Sequence, residues 1–213
     1  MATLITSSPP FDLGQTYYAG RTVDTANYGG VALEGQRCCF TNRNVQSTST
    51  QLRTILEDAP IYARCVRNVS GIALLPGRLA IYQTTNYDKR IDGYTSTTAQ
   101  KSAGVVDPFL PAAGVPNGDL FWVIEEGIVP VRRALSNSAA DDAVGDTLYA
   151  ITAATSQATT AGRFTRWVGT FAAAETTDGS SFNIISNNIG RAMSACTTAG
   201  TNQLQNVRIR IDA

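Results

Sequence analysis

The chain has 213 residues, 43% of them hydrophobic and only 16% charged, with 17 basic side chains balanced by 17 acidic ones and no histidine. That length and hydrophobicity fit one large folded domain or two small ones and exclude disorder. A zero net charge argues against a nucleic-acid partner, and no apolar run nears the roughly 20 residues of a membrane span. Without histidine the commonest general base and metal ligand are gone. Thr, Ser, Ala, Asn and Gly replace the missing charges, a mixture suited to strands, turns and a surface that becomes buried in an assembly.

In chain order, residues 1–40 read as an extended N-terminal arm. Pro9, Pro10 and scattered glycines interrupt any periodicity, and Tyr17, Tyr18 and Tyr28 stand between them as candidate anchors for a neighbouring subunit. Met1 to Pro10 carries neither positive charge nor an apolar core, unlike a signal peptide. Asn44 to Ala59 is the one predicted helix: Leu52, Ile55 and Leu56 share a face, Ser47 or Thr48 can cap it, and Pro60 stops it.

From Ile61 the pattern turns to strands. Ile61–Val69 alternates in part, and Leu79–Tyr82 follows the turn Leu75-Pro76-Gly77. Leu120–Glu125, with the sequence LFWVIE, is the strongest strand signal. Ile128–Arg132 follows Gly127 and is expected to fold back on it as a hairpin. Thr147–Thr152, Phe164–Phe171, Phe182–Ile185 and Val207–Ile211 complete the series. The fold class is therefore mainly β: sandwich or barrel-like modules of short antiparallel strands, with one short helix and the arm. Residues 41–135 form a first β module with the helix, and 136–213 a second.

A weak internal repeat supports two modules. Pro76-Gly77-Arg78-Leu79-Ala80-Ile81-Tyr82 is similar to Val144-Gly145-Asp146-Thr147-Leu148-Tyr149-Ala150, and Ala103-Gly104-Val105 to Val168-Gly169-Thr170.

Motifs for chemistry are missing. Glu125-Glu126 and Asp141-Asp142 are the adjacent acidic pairs, and neighbours on a strand point to opposite faces, so Glu125 and Glu126 do not share a site. Gly114 to Asp119 lacks the GK[ST] ending of a phosphate loop, and Asn68-Val69-Ser70 matches a glycosylation acceptor by chance. Cys38, Cys39, Cys65 and Cys196 lack CxxC spacing and read as reduced, small hydrophobes. No catalytic residue, cofactor or metal is expected.

The stretch from Asp92-Gly93-Tyr94 through Gly104-Val-Val-Asp-Pro-Phe-Leu-Pro to Gly118-Asp-Leu-Phe-Trp-Val-Ile-Glu-Glu-Gly127, read as a strand, a turn at Gly104-Val-Val-Asp107 and an outgoing strand, resembles the β-rich decoration, or cement, proteins of tailed-phage capsids. Arg21 to Arg37 has the same character, so the resemblance spans about residues 20 to 135. It implies a non-enzymatic homo-oligomer, a trimer favoured, that binds the major capsid protein on the outer capsid surface after assembly in the host cytoplasm. It implies no nucleic-acid or membrane partner. Phe121 and Trp122 would be core or interface anchors, one facing the core and the other a partner or second sheet. A tail or head-fibre base protein fits the same composition. A carbohydrate-binding β-sandwich is the third reading, with Tyr17, Tyr18, Tyr87, Tyr94 and Trp167 as stacking candidates.

Overall fold

The computed structural model describes residues 5–6, 13–14, 34–40, 60–94, 102–132, 147–150, 164–166, 188–192 and 204–210. The predicted helix at 44–59, the strand at 182–185, and Tyr17, Tyr18, Tyr28, Trp167 and Cys196 lie outside them. The described residues are mainly β. The strands are β1 Ile5–Thr6, β2 Arg37–Phe40, β3 Ile61–Asn68, β4 Leu79–Tyr82, β5 Arg90–Gly93, β6 Ser102–Val106, β7 Leu120–Arg132, β8 Thr147–Ala150, β9 Phe164–Arg166, β10 Asn188–Ala192 and β11 Leu204–Arg210.

Five of these strands close on themselves. β3 pairs antiparallel with β7, β7 with β6, β6 with β4 and β4 with β5. β5 completes the circuit by pairing parallel to β3, with Arg67 opposite Arg90 and Asn68 opposite Ile91. A closed ring has no exposed edge, which removes the hazard of open strand edges. Outside it, β2 lies on the free part of the β3 edge and β1 runs parallel to β2. On the other side, β11 pairs with the second half of β7, followed by β10, β8 and β9.

Period-two alternation gives β7 two different faces. Phe121 and Val123 point into the ring, where they meet Val66, Leu74, Ala80, Tyr82, Ile91 and Val106. Leu120, Trp122 and Ile124 point outward, into a second core shared with Leu13, Cys38, Phe40, Cys65, Val129, Val131, Val207 and Ile209. Phe40 of β2 meets Trp122 edge to face, with ring centroids 5.0 Å apart. The thiols of Cys38 and Cys65 are fully buried in this outer core, and Cys38, Cys39 and Cys65 are all unbridged. Burial, reinforced by the neighbouring Cys39, pushes the Cys38 thiol up to about 11.

Two local expectations are corrected. Gly127 does not turn a hairpin: Leu120–Arg132 is one continuous 13-residue strand. A lone glycine is shorter than the two-residue loop that reverses a hairpin, and both flanking partners are supplied from elsewhere, β3 before Gly127 and β11 from there on. Gly127 has φ +136°, and a side chain there would collide with Ile61 and the Pro60 carbonyl at 3.1–3.2 Å. Likewise Gly104-Val105-Val106 is not a turn but part of β6, and the chain turns only at Asp107.

Candidate functional site

The ring has two chemically opposite ends. β3, β5 and β6 run toward one of them and β4 and the first half of β7 run away from it, so the β3–β4 and β6–β7 connections meet there. Leu74 and Val115, one from each connection, exchange backbone hydrogen bonds of 3.0 and 2.8 Å. The buried Asn68 amide ties the connections together. Its Nδ2 donates to the Ile72 carbonyl at 2.7 Å and the Val115 carbonyl at 3.0 Å, while its Oδ1 accepts from the Ser70 N–H and hydroxyl. Gly71 N–H donates to Asn117 Oδ1 at 2.9 Å. Gly114 has φ +76°, and a side chain there would strike the Leu74 carbonyl. The Tyr94 hydroxyl, facing the ring interior, accepts from the Leu75 N–H.

The exposed residues of these two connections are uncharged, with the exposed Asp92 at the end of β5 the neighbouring charge. The exposed residues 71–73, 111–113 and 116–117 are Gly, Ile, Ala, Pro, Ala, Ala, Pro and Asn. Ile72 is 52% exposed and is one of two exposed large hydrophobic side chains among the described residues; the other is Tyr87. These connections were not legible as a site because the chain separates them by about forty positions.

The other end of the ring is ionic. Glu125 Oε2 accepts from Arg37 Nε at 2.8 Å, and Oε1 from Arg64 Nε at 2.6 Å. The three side chains lock β2, β3 and β7 together. The Tyr82 hydroxyl also donates to Glu125, at 3.5 Å, and burial together with that carboxylate pushes the phenol well above its ordinary value, so it stays protonated. Burial works against the Arg64 charge, but the Glu125 hydrogen bond and surrounding negative charge outweigh it and hold the guanidinium above its ordinary value. Glu126 is about half exposed and lies 3.9 Å from Arg37, so the two neighbouring acids meet at one arginine, contrary to simple strand alternation, because the β3–β7 ladder skips Glu125. Along the ring seam, Glu34 bridges Arg67 at 3.1 Å and Arg90 at 3.3 Å. With both Glu125 oxygens committed to arginine N–H groups, the cluster is a strut between strands and holds no nucleophile with a base beside it.

A third feature is a single buried acid. Asp107, at the end of β6, accepts from the backbone N–H of Phe109 with one carboxylate oxygen and of Gly14 with the other. Leu13 beside Gly14 is fully buried in the outer core. Burial pushes the Asp107 carboxyl up to about 7, with the two N–H donors pulling partly back.

The sequence-derived site residues fall as follows. Phe121 and Trp122 are both fully buried by this chain itself, on opposite faces of β7, so neither ring presents surface to a partner. The cover over Trp122 comes from Phe40 and Leu13, parts of the chain far from it in sequence. Tyr94 is buried and offers no stacking face, while Tyr87 is 37% exposed with its ring tilted against Tyr82, centroids 4.7 Å apart. The buried, hydrogen-bonded Asn68 is closed to glycosylation. Among the described residues no cluster of three or more His, Cys, Asp or Glu side chains could hold a metal ion, and no helix is long and apolar enough to cross a membrane.

No protein-family model matches the chain, and no curated protein matches it. Among solved structures, the head fiber gp8.5 N base of bacteriophage phi29 aligns over 72% of this chain and 99% of that chain, at 16% sequence identity and a TM-score of 0.35. At that identity and score the two chains share no established fold.

Proposed function

We propose that the chain is a non-enzymatic structural protein of a tailed-phage virion, a decoration protein that binds the outer capsid surface as a homo-oligomer and stabilises contacts between major capsid subunits. The observation that carries this reading is the uncharged, rigidly pinned tip of the ring. Burying these connections against another protein strips water from few charged groups and immobilises few rotamer-rich side chains, two costs that ordinarily limit association. Repeated on a lattice, a modest contact of this kind adds up to high avidity. The sequence stretch that resembles decoration proteins supports the same reading: Val105, Val106, Leu120, Phe121, Trp122, Val123 and Ile124 are the walls of the ring.

The test is co-sedimentation of the purified protein with expanded and unexpanded capsid shells of the phage that carries it. Binding to assembled shells is expected, with hundreds of copies per particle and an Ile72→Asp variant at least tenfold weaker. Absence of the protein from both pellets would rule the reading out. Saturation at tens of copies confined to the tail or fibre attachment points would replace it with a fibre or tail-base role.

A further inference from the structure

We infer that the chain is a tandem duplication of one five-strand unit, in which β7 serves twice: its first half is the last strand of the first unit and its second half the first strand of the second. This goes beyond the surface-binding reading and does not depend on it.

The first unit is the closed ring, in the order β3, β4, β5, β6 and the start of β7. Its pairing scheme is distinctive. The second strand pairs with the third and with the fourth, the fourth with the fifth, and the fifth with the first. The strands that follow repeat it. β8 pairs with β9 and with β10, β10 with β11, and β11 with the second half of β7, again all antiparallel.

Order alone could arise by chance in a β-rich chain; register is harder to match. In the first unit Leu79 faces Val105, Ala80 faces Gly104, and the ladder then skips Ala103 so that Ile81 faces Ser102. In the second, Thr147 faces Arg191, Leu148 faces Gly190, and the ladder skips Ile189 so that Tyr149 faces Asn188. The same bulge thus falls after the same position, with a glycine at the same step. A bulge is a specific local device that redirects a strand, not a random defect. In the first unit its glycine is obligatory: Gly104 has φ +148°, and a side chain would lie 2.6 Å from the Ile124 carbonyl oxygen.

The remaining ladders carry the correspondence on. Val105 and Val106 face Ile124 and Val123, as Arg191 and Ala192 face Arg208 and Val207. Leu120 and Phe121 face Arg67 and Val66, as Leu204 and Gln205 face Arg132 and Val131. Structural equivalence therefore superposes Leu120 on Leu204, Val123 on Val207, Arg67 on Arg132 and Val66 on Val131, identities that plain sequence reading does not find. Gly77 and Gly145 stand two residues before β4 and β8 respectively. The partner of Gly104 is Gly190, not the Gly169 of the sequence repeat, and the boundary between units falls within β7 rather than after residue 135.

The units differ at three places. The β4–β5 ladder skips Asp92 where β8–β9 runs without a skip, and the β3–β7 ladder skips Glu125 where β11 pairs with β7 without one. The third difference is at the closing seat. Arg67 N–H closes the first ring by donating to the Lys89 carbonyl at 2.8 Å. Its equivalent, Arg132 N–H, donates instead to the Gly77 carbonyl at 2.7 Å, so a turn of the first unit takes the closing seat of the second. The duplicated halves are thereby interlocked.

An experimental structure of the full chain tests this directly. The two sets of strands are expected to superpose in the same connection order, with Ile189 bulged where Ala103 is. A β8–β10 ladder without that skip, or β11 paired elsewhere than on β7, would overturn it. A second test works by exchange: residues 188–192 replaced by Ser-Ala-Gly-Val-Val, the sequence of β6, should leave a cooperative melt within about 5 °C of the parent. The same replacement displaced by one residue should lower the melt by more than about 10 °C. Equal tolerance, or equal failure, of the two versions counts against the duplication.

Discussion

The two ends of the ring solve the same problem, holding strand connections in place, with opposite chemistry. At the ionic end a buried carboxylate ties three strands through two arginines. At the neutral tip a buried amide and a backbone bridge do so without charge. The ionic strut depends on every partner, because removing one strands a buried charge, whereas the amide pin fails by single hydrogen bonds. The difference gives the tip connections an uncharged exposed face, which is the ground on which partner binding is proposed there.

The comparison breaks most sharply at Glu125. Glu125→Ala leaves Arg64, only 12% exposed, without its main counter-charge, and should cost about 4 kcal/mol in denaturant unfolding. A loss below 1 kcal/mol would mean the cluster is wet and the two ends are not different in kind.

Asp107 gives the next largest effect, and its sign is unusual. Its folded value lies near 7, above the ordinary 3.8, so the folded chain binds the proton more tightly than the unfolded one. Stability from this group is therefore present at low pH and is lost as pH rises from about 4 through about 7, by roughly 3 kcal/mol. Asp107→Asn does not titrate, so the stability difference between it and the parent should change by that amount between pH 5 and pH 8. A flat difference would show that Leu13 and Gly14 do not bury the acid in solution.

Asn68→Ala should cost about 2 kcal/mol, since it removes the amide donor to the Ile72 and Val115 carbonyls and the acceptor for the Ser70 N–H and hydroxyl at the tip. Hydrogen exchange should then quicken at Leu74 and Val115 and stay unchanged at Arg64. Smallest in stability is Ile72→Asp, expected within about 0.5 kcal/mol of the parent by thermal melt because the side chain is exposed. That keeps its effect on shell binding separable from folding.

Much of the ring was legible. The β-branched and aromatic runs at 61–68, 79–82 and 120–125 have strand periodicity, and alternation alone put Phe121 and Trp122 on opposite faces; it did not foresee the skip at Glu125 that leaves Glu125 and Glu126 both beside Arg37. Besides the two-residue strand β1, four strands were not legible: Arg-Cys-Cys-Phe of β2, Arg-Ile-Asp-Gly of β5, Ser-Ala-Gly-Val-Val of β6 and Asn-Ile-Gly-Arg-Ala of β10. They are short, and most carry Gly, Asp or Asn, so their extended state comes from ladders on both sides rather than from intrinsic preference. The site residues escaped for a related reason. Arg37 and Arg64 reach Glu125 across 88 and 61 positions, and nothing local in an arginine on a half-exposed strand announces its partner. Asp107 was visible only as one acid after an apolar run, because the segment that buries it comes from 93 positions earlier.

The two thiols in the outer core bear on durability. Oxidation and alkylation act on the thiolate, and Cys38 and Cys65 are fully buried with burial holding both in the protonated form. On the proposed function the particle that carries this chain meets oxygen outside a cell with no reductant pool to repair it. Cysteine at these positions fills the core as a small apolar side chain would, without becoming a point of chemical ageing.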